Sequence, residues 1–145
     1  MKIALSKDQF QELLKLVYLG NWLINSIHSV DDQVQASDDI LDYVLSIAKK
    51  EKIEGIVDFD EGLQKHYPTV EYEESLSDCI DEYDNVLFWE GLLLRLVERD
   101  LINKYGLEDV KQMTFEEIAD KERPFREKYQ REFEQNGIVN LILRY

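Results

Sequence analysis

Residues 86–105 read VLFWEGLLLRLVERDLINKY, and the first half of this stretch is apolar on nearly every side of a helix. Asn85 precedes the stretch as a candidate N-cap, and Gly106 follows it in a position where helices often end. A helix that is apolar nearly all round is normally packed on several sides. The stretch therefore predicts a core helix of the fold.

Helical spacing predicts four further helices, because only two prolines and six glycines interrupt the chain. Ser6 and Gln9 form a capping box before a first helix that is also apolar on most sides, so we expect it to be central. Ser37 is the expected cap of the second helix, and Thr114 opens the last helix at another capping box. A third helix is expected over residues 70–83, with Tyr67-Pro68 before it as a break.

The terminal segments predict strands. Residues 138–145, IVNLILRY, are largely uncharged and rich in apolar residues, and residues 2–5 could pair with them. Residues 53–69 are ambiguous between a short strand and a packed loop. We therefore expect a mainly α fold, a compact bundle of about five helices with a small β-ribbon formed by the N- and C-terminal segments. Residues 1–145 are expected to form a single helical domain.

The middle of the chain is strongly acidic. Between Lys15 and Arg95 there are 18 acidic residues and four lysines, so this stretch carries −14, which is the formal net charge of the whole protein. A field of one sign selects the partners that can approach. It repels nucleic acids and anionic lipids, which bind to clustered lysine and arginine. The charge therefore predicts a basic protein partner or a second copy in a homodimer, and neither nucleic acid nor membrane as a partner.

A cytoplasmic location is the expectation from the rest of the composition. The first residues lack the apolar core of a signal peptide, and residues 13–27 are too short and too often interrupted to span a bilayer. A single cysteine, Cys79, excludes an intramolecular disulfide and a thiolate metal cage. We expect Cys79 to be buried on the apolar side of the third helix, and we predict no cofactor.

Acidic residues three positions apart recur on the second and third predicted helices, where each pair shares one face and could bind a hard cation such as Mg²⁺. These pairs are Asp39 with Asp42, Glu71 with Glu74, and Asp78 with Asp81. The pattern resembles the all-α nucleoside-triphosphate pyrophosphohydrolases, which hold magnesium between Glu-x-x-Glu and Glu-x-x-Asp on neighbouring helices. The resemblance implies a Mg²⁺-dependent phosphohydrolase that uses Glu71, Glu74, Asp78 and Asp81.

Two differences from that family favour another function. The chain has Asp-x-x-Asp where the family has a glutamate pair, and its carboxylates project away from the apolar side of each helix instead of lining an enclosed cleft. We therefore expect these six carboxylates to form a solvated acidic face that binds a protein, in a protein without enzymatic activity. The Mg²⁺-dependent phosphohydrolase is the alternative.

Three polar residues are predicted to be buried. Asn21 and His28 share the apolar side of the first helix, where they could line a small pocket. Glu90 falls, by helical angle, on the side of the fourth helix that should be most buried. A carboxylate there must be paired, hydrogen-bonded or protonated. Glu90 could be an acid catalyst, because burial can raise the pKa of a core glutamate. The alternative is that Glu90 has a structural role and forms an ion pair with an arginine.

Overall fold

The computed structural model describes residues 3–142, apart from the side chain of Val30. Its elements, in chain order, are α1 (Lys7–Asn25), α2 (Gln35–Lys50), β1 (Val57–Asp60), β2 (Lys65–Pro68), α3 (Val70–Tyr105), α4 (Leu107–Gln112) and α5 (Phe115–Asn136). A 3-10 turn, Val30–Asp32, lies between α1 and α2. The predicted mainly helical class is therefore confirmed.

The predicted β-ribbon of the two termini is wrong. Residues 3–6 and 137–142 contain no strand, and residues 1, 2 and 143–145 lie outside the described part of the chain. The antiparallel sheet is instead the mid-chain hairpin of β1 and β2, in which Val57 lies opposite Pro68.

A local turn explains why the hairpin forms in the middle of the chain. Oδ1 of Asp60 accepts hydrogen bonds from the amides of Gly62 and Leu63, at 2.8 and 2.9 Å. This Asx turn brings β1 and β2 together across four residues. A ribbon of the termini would have to close a loop as long as the whole chain, at a larger entropic cost.

The third and fourth predicted helices are a single helix, α3, of 36 residues. Asn85 does not cap a helix: it lies inside α3, and its Oδ1 accepts a hydrogen bond from Nε1 of Trp89 at 3.1 Å. The predicted break is wrong because an asparagine in a helix interior costs only about 0.7 kcal/mol relative to alanine. Gly106 has a φ of 85° and follows the last residue of α3, as the sequence predicts.

The chain divides into two compact units, Met1–Asp78 and Cys79–Tyr145. The core of the first unit consists of Leu14, Val44, Leu45, Ala48 and Ile53. The core of the second unit is formed by Leu93 and Val97 of α3 with Tyr129 of α5. The single domain over residues 1–145 stays a prediction.

Hydrogen bonds add to the apolar contact between α3 and α5 in the second unit. The hydroxyl of Tyr129 donates to Asp100 and accepts from Nη2 of Arg99 at 2.9 Å. Arg99 also donates from Nε to Asp100 at 2.9 Å, which closes a three-residue network. Because Tyr129 is buried, these partners satisfy a hydroxyl that would otherwise destabilise the core.

The helix α1 is not the central helix that its composition predicts. Leu14 is fully buried against α2, but Leu16, Leu23 and Ile24 are exposed. The prediction of packing on several sides is wrong because the contacts of α1 with α2 and with Tyr72 use only part of its surface. Composition alone therefore overestimates the burial of α1.

The continuity of α3 predicts the effect of a substitution at Asn85. Replacing a true N-cap with alanine costs about 1 kcal/mol, whereas alanine in a helix interior is the more favourable residue. Asn85→Ala also removes the exposed hydrogen bond from Trp89, which offsets that gain, so we expect the free energy of unfolding to change by less than about 0.5 kcal/mol. Urea unfolding followed by circular dichroism measures this difference.

Thr114→Ala is the matched control, because Thr114 caps α5 through the amide of Glu117. It should lower the free energy of unfolding by about 1 kcal/mol. A loss of the same size in Asn85→Ala would contradict a continuous α3.

Candidate functional site

A polar cleft of about 510 Å³ lies in the first unit. Side chains of α1, α2, β2 and the first turn of α3 line it. Its polar groups come from segments far apart in sequence, which the packing of α1 on α2 and of the hairpin on α2 brings together.

Two asparagines of α1 hold a carboxylate of α2 at this cleft. Asn21 and Asn25, one turn apart, donate their side-chain amides to Oδ1 of Asp38, at 2.7 and 2.9 Å. Asn25 is only 8% exposed, and its own Oδ1 accepts from the amide of Val34 at 2.8 Å. Ser37, the predicted cap, lies inside α2 and contacts Asn21 at 3.1 Å instead. Asp38 is therefore held by two donors, and one of them, Asn25, is itself fixed by the backbone of Val34.

His66 of β2 forms a second polar contact with α2. Its backbone amide lies 2.7 Å from Oδ1 of Asp42, and its ring Nδ1 lies 2.9 Å from the same oxygen. Burial raises the pKa of Asp42, but the two hydrogen bonds from His66 outweigh burial and leave this pKa below its ordinary value. When Nδ1 carries the proton, Nε2 of His66 is left as an acceptor.

Tyr18 and Glu73 form the third contact, between α1 and the first turns of α3. The hydroxyl of Tyr18 donates to Oε1 of Glu73 at 3.3 Å. Burial, and then the negative charge of Glu73, raise the pKa of Tyr18 to about 12. The hydroxyl therefore stays protonated at neutral pH and remains a hydrogen-bond donor.

The carboxylates of the predicted acidic face are mostly exposed. Glu71, Glu74, Asp78 and Asp81 of α3 and Asp39 of α2 are open to solvent, whereas Asp42 is half-buried against His66. Their role in protein binding stays a prediction. Within residues 3–142, no three His, Cys, Asp or Glu side chains come close enough together to hold a metal ion. The Mg²⁺-dependent alternative also stays a prediction.

A second surface lies on α3, where every residue from 81 to 88 is exposed. We call residues 81–88 the exposed α3 segment. Half of its side chains are large and apolar, and their exposed fractions are 43% for Tyr83, 46% for Val86, 49% for Leu87 and 53% for Phe88. An exposed apolar patch bordered by polar groups is typical of an interaction site.

The exposed α3 segment has two different sides. At 100° per residue, Tyr83, Val86 and Leu87 share one side of the helix, and Cys79 lies on the same side. Asp81 lies on the opposite side. Cys79 is exposed, so its predicted burial is wrong. The apolar side of the predicted third helix exists, but this part of it does not contribute to a core.

His28 and Glu90 are exposed, so their predicted burial is also wrong. The helix α1 ends at Asn25, and the helical spacing that placed His28 on a buried side does not extend to it. Glu90 lies beside the end of α5, where Phe133 contacts Trp89 with 5.3 Å between ring centroids. The buried side of α3 in this unit begins at Leu93, one turn later. Asn21 is half-buried and lies in the cleft.

Sequence reasoning missed most of the cleft. Tyr18, Asp38, His66 and Glu73 were not among the predicted site residues. Of the predicted site residues, Asn21 and Asp42 lie in the cleft. Asp42 and His66 are 24 positions apart, and no local pattern relates them.

Compared with models of known protein families, with curated proteins and with solved structures, the chain gives no match. None of the helices in residues 3–142 combines the length and the apolar character that crossing a membrane requires. The geometry of the cleft and of the exposed α3 segment therefore carries the functional argument.

Asp42→Ala measures how strongly Asp42 joins β2 to α2. The substitution removes the acceptor of two hydrogen bonds from His66, so we expect the free energy of unfolding to fall by about 1–3 kcal/mol. Urea unfolding at neutral pH measures this loss. Asp39→Ala, at the exposed neighbouring position, should change it by less than about 0.5 kcal/mol.

The difference in unfolding free energy between wild type and Asp42→Ala should depend on pH, and the direction follows from the pKa of Asp42. Because the pKa of Asp42 is lowered in the folded protein, its ionised form stabilises the fold at neutral pH. That contribution is lost as the pH falls below the ordinary value of 3.8 and through the lowered pKa. The difference between wild type and Asp42→Ala should therefore shrink in acid. Equal losses in Asp42→Ala and Asp39→Ala would contradict the assignment.

Proposed function

We propose that the protein is a non-enzymatic interaction module that binds a basic protein partner through the exposed α3 segment. One observation supports this function above the others: residues 81–88 are helical and exposed at every position, although half of them are large apolar residues. Apolar side chains at a protein interface are buried on binding, and that burial favours association.

The charge of α3 indicates the chemistry of the partner. No lysine or arginine occurs between Lys65 and Arg95. Glu82 and Asp84 are exposed, and by helical position they border the apolar side of the exposed α3 segment on its two edges. The partner that complements this surface has apolar side chains bordered by lysine and arginine. Such complementarity speeds association and weakens as salt is added.

A second copy of the chain fits this surface less well than a basic partner does. Each copy carries a formal net charge of −14, and a symmetric contact through α3 would bring acidic residues of both copies together. Like charges in an interface cost binding free energy. We further propose that the protein acts in the cytoplasm, where an exposed thiol such as that of Cys79 stays reduced.

A synthetic amphipathic helix of leucine and lysine is a direct probe of this proposal. We expect it to bind the full-length protein in fluorescence anisotropy, and the affinity should fall between about 0.05 M and 0.5 M salt. The same peptide with glutamate in place of lysine should not bind. Light scattering of the free protein reports self-association in the same buffer, and a dimer through α3 would count against the basic partner.

Two double variants separate the contributions of charge and apolar contact. Glu82→Gln with Asp84→Asn should weaken peptide binding about 2- to 30-fold, since each exposed pair contributes about 0.2–1 kcal/mol. Val86→Ser with Leu87→Ser should weaken it about tenfold or more.

The matched control is Glu116→Gln with Glu127→Gln, which removes the same number of charges from exposed positions of α5. It should leave peptide affinity within about twofold of wild type, because these charges lie outside the segment. An equal loss in the control, or no binding of the lysine peptide at low salt, would refute the proposed interface.

A further inference from the structure

The cleft of the first unit has the volume of a small-molecule site, and the inference drawn from it does not depend on the proposed interface. Its volume of about 510 Å³ falls within the range of about 300–1,000 Å³ that is usual for ligand sites. Aromatic side chains and carboxylates both line it: Tyr18, Trp22 and Tyr67, with Asp38, Asp42 and Glu73.

Within residues 3–142, each of the three carboxylates uses only one of its oxygens. Oδ1 of Asp38 accepts from two amides of α1, Oδ1 of Asp42 accepts from His66, and Oε1 of Glu73 accepts from Tyr18. In the described part of the chain, no hydrogen bond reaches the second oxygen of any of these carboxylates. A donor that enters the cleft therefore finds acceptors that still carry negative charge.

The cleft selects for positive charge in two ways. Its three carboxylates outnumber Lys65, so the lining is negative even though His66 and Lys65 are present. The rings of Trp22, Tyr18 and Tyr67 add a second preference, because the face of an aromatic ring attracts an organic cation. The carboxylates and the aromatic rings therefore both favour a positively charged ligand.

The position of Asp38 is fixed before any ligand binds. Asn25 is buried, and both ends of its amide are engaged, one by Asp38 and the other by the backbone of Val34. A carboxylate held in this way loses little conformational freedom when a ligand binds. This is what distinguishes Asp38 from the exposed, unsupported carboxylates of the chain.

We propose that this cleft binds an organic cation, an ammonium or guanidinium group on a short aliphatic chain. Asp38 and Glu73 are the charge partners of the cation, and Trp22 packs against it or its aliphatic chain. The same chemistry occurs in a free diamine and in an arginine side chain of a bound protein, so the experiment has one arm for each source.

Isothermal titration calorimetry of the protein distinguishes a free amine from an arginine side chain as the source of the cation. The probes are 1,4-diaminobutane, N-acetylarginine amide and the neutral analogue 1,4-butanediol. We expect at least one cation to bind with a Kd below about 1 mM, and the diol not to bind. Binding of the diamine supports a free amine, and binding of the arginine derivative alone supports a protein side chain. No binding of either cation at about ten times that concentration, or equal binding of the diol, would overturn the proposal.

Neutral variants of the two charge partners test whether the cation binds in the cleft. Asp38→Asn and Glu73→Gln keep the oxygen that accepts the internal hydrogen bonds and remove the negative charge. The double variant should bind the cation at least about tenfold more weakly, as expected for the loss of a charged hydrogen-bond acceptor. The control, Glu54→Gln with Glu61→Gln, removes two exposed charges outside the cleft and should stay within about twofold of wild type.

Circular dichroism verifies that each variant is folded. If the double variant does not fold, Glu73→Gln alone at its exposed position is compared with Glu61→Gln. A weakening that is equal in the cleft variant and in the control would mean that general electrostatic attraction, and not this cleft, holds the cation.

Discussion

The unbroken backbone hydrogen bonding of α3 is the constraint on which the rest of the structure depends. Tyr72 near its start packs on the core of the first unit, and Leu93 and Val97 belong to the core of the second. Between these packed turns, a helix satisfies its own backbone amides and carbonyls and needs no neighbouring element to do so. Residues 81–88 therefore stay helical while their side chains remain exposed, because packed turns on either side stabilise a stretch that would be marginal alone.

Two kinds of surface follow from this arrangement, and both carry the same charge preference. The exposed α3 segment offers apolar side chains bordered by carboxylates, a combination suited to a large and partly apolar partner. The cleft of the first unit offers carboxylates held by a buried asparagine, a combination suited to a small cation. The excess of acidic residues in the middle of the chain underlies both preferences, since α3 supplies the carboxylates of the exposed α3 segment and α2 and α3 together supply those of the cleft.

Some local signals in the sequence predicted local structure correctly, although Ser37 and Asn85 do not cap helices. The capping boxes at Ser6 and Thr114 and the helix end at Gly106 are confirmed, because each depends on hydrogen bonds or backbone angles within a few residues. Burial was predicted poorly for α1 and for Glu90, since it depends on which segments meet and on where α5 ends. The pairing of Asp42 with His66 depends on how the hairpin packs on α2. Hydrophobic periodicity does not contain that information.

The reactivity of Cys79 tests the central claim most directly, because its thiol lies on the same side of α3 as Tyr83 and Val86. The native protein is treated with the uncharged reagent N-ethylmaleimide, and the modified fraction is followed by mass spectrometry. An exposed side of α3 predicts complete modification in the absence of denaturant. A thiol that reacts only after urea unfolds the chain would show that this side of α3 is buried, and it would contradict the account.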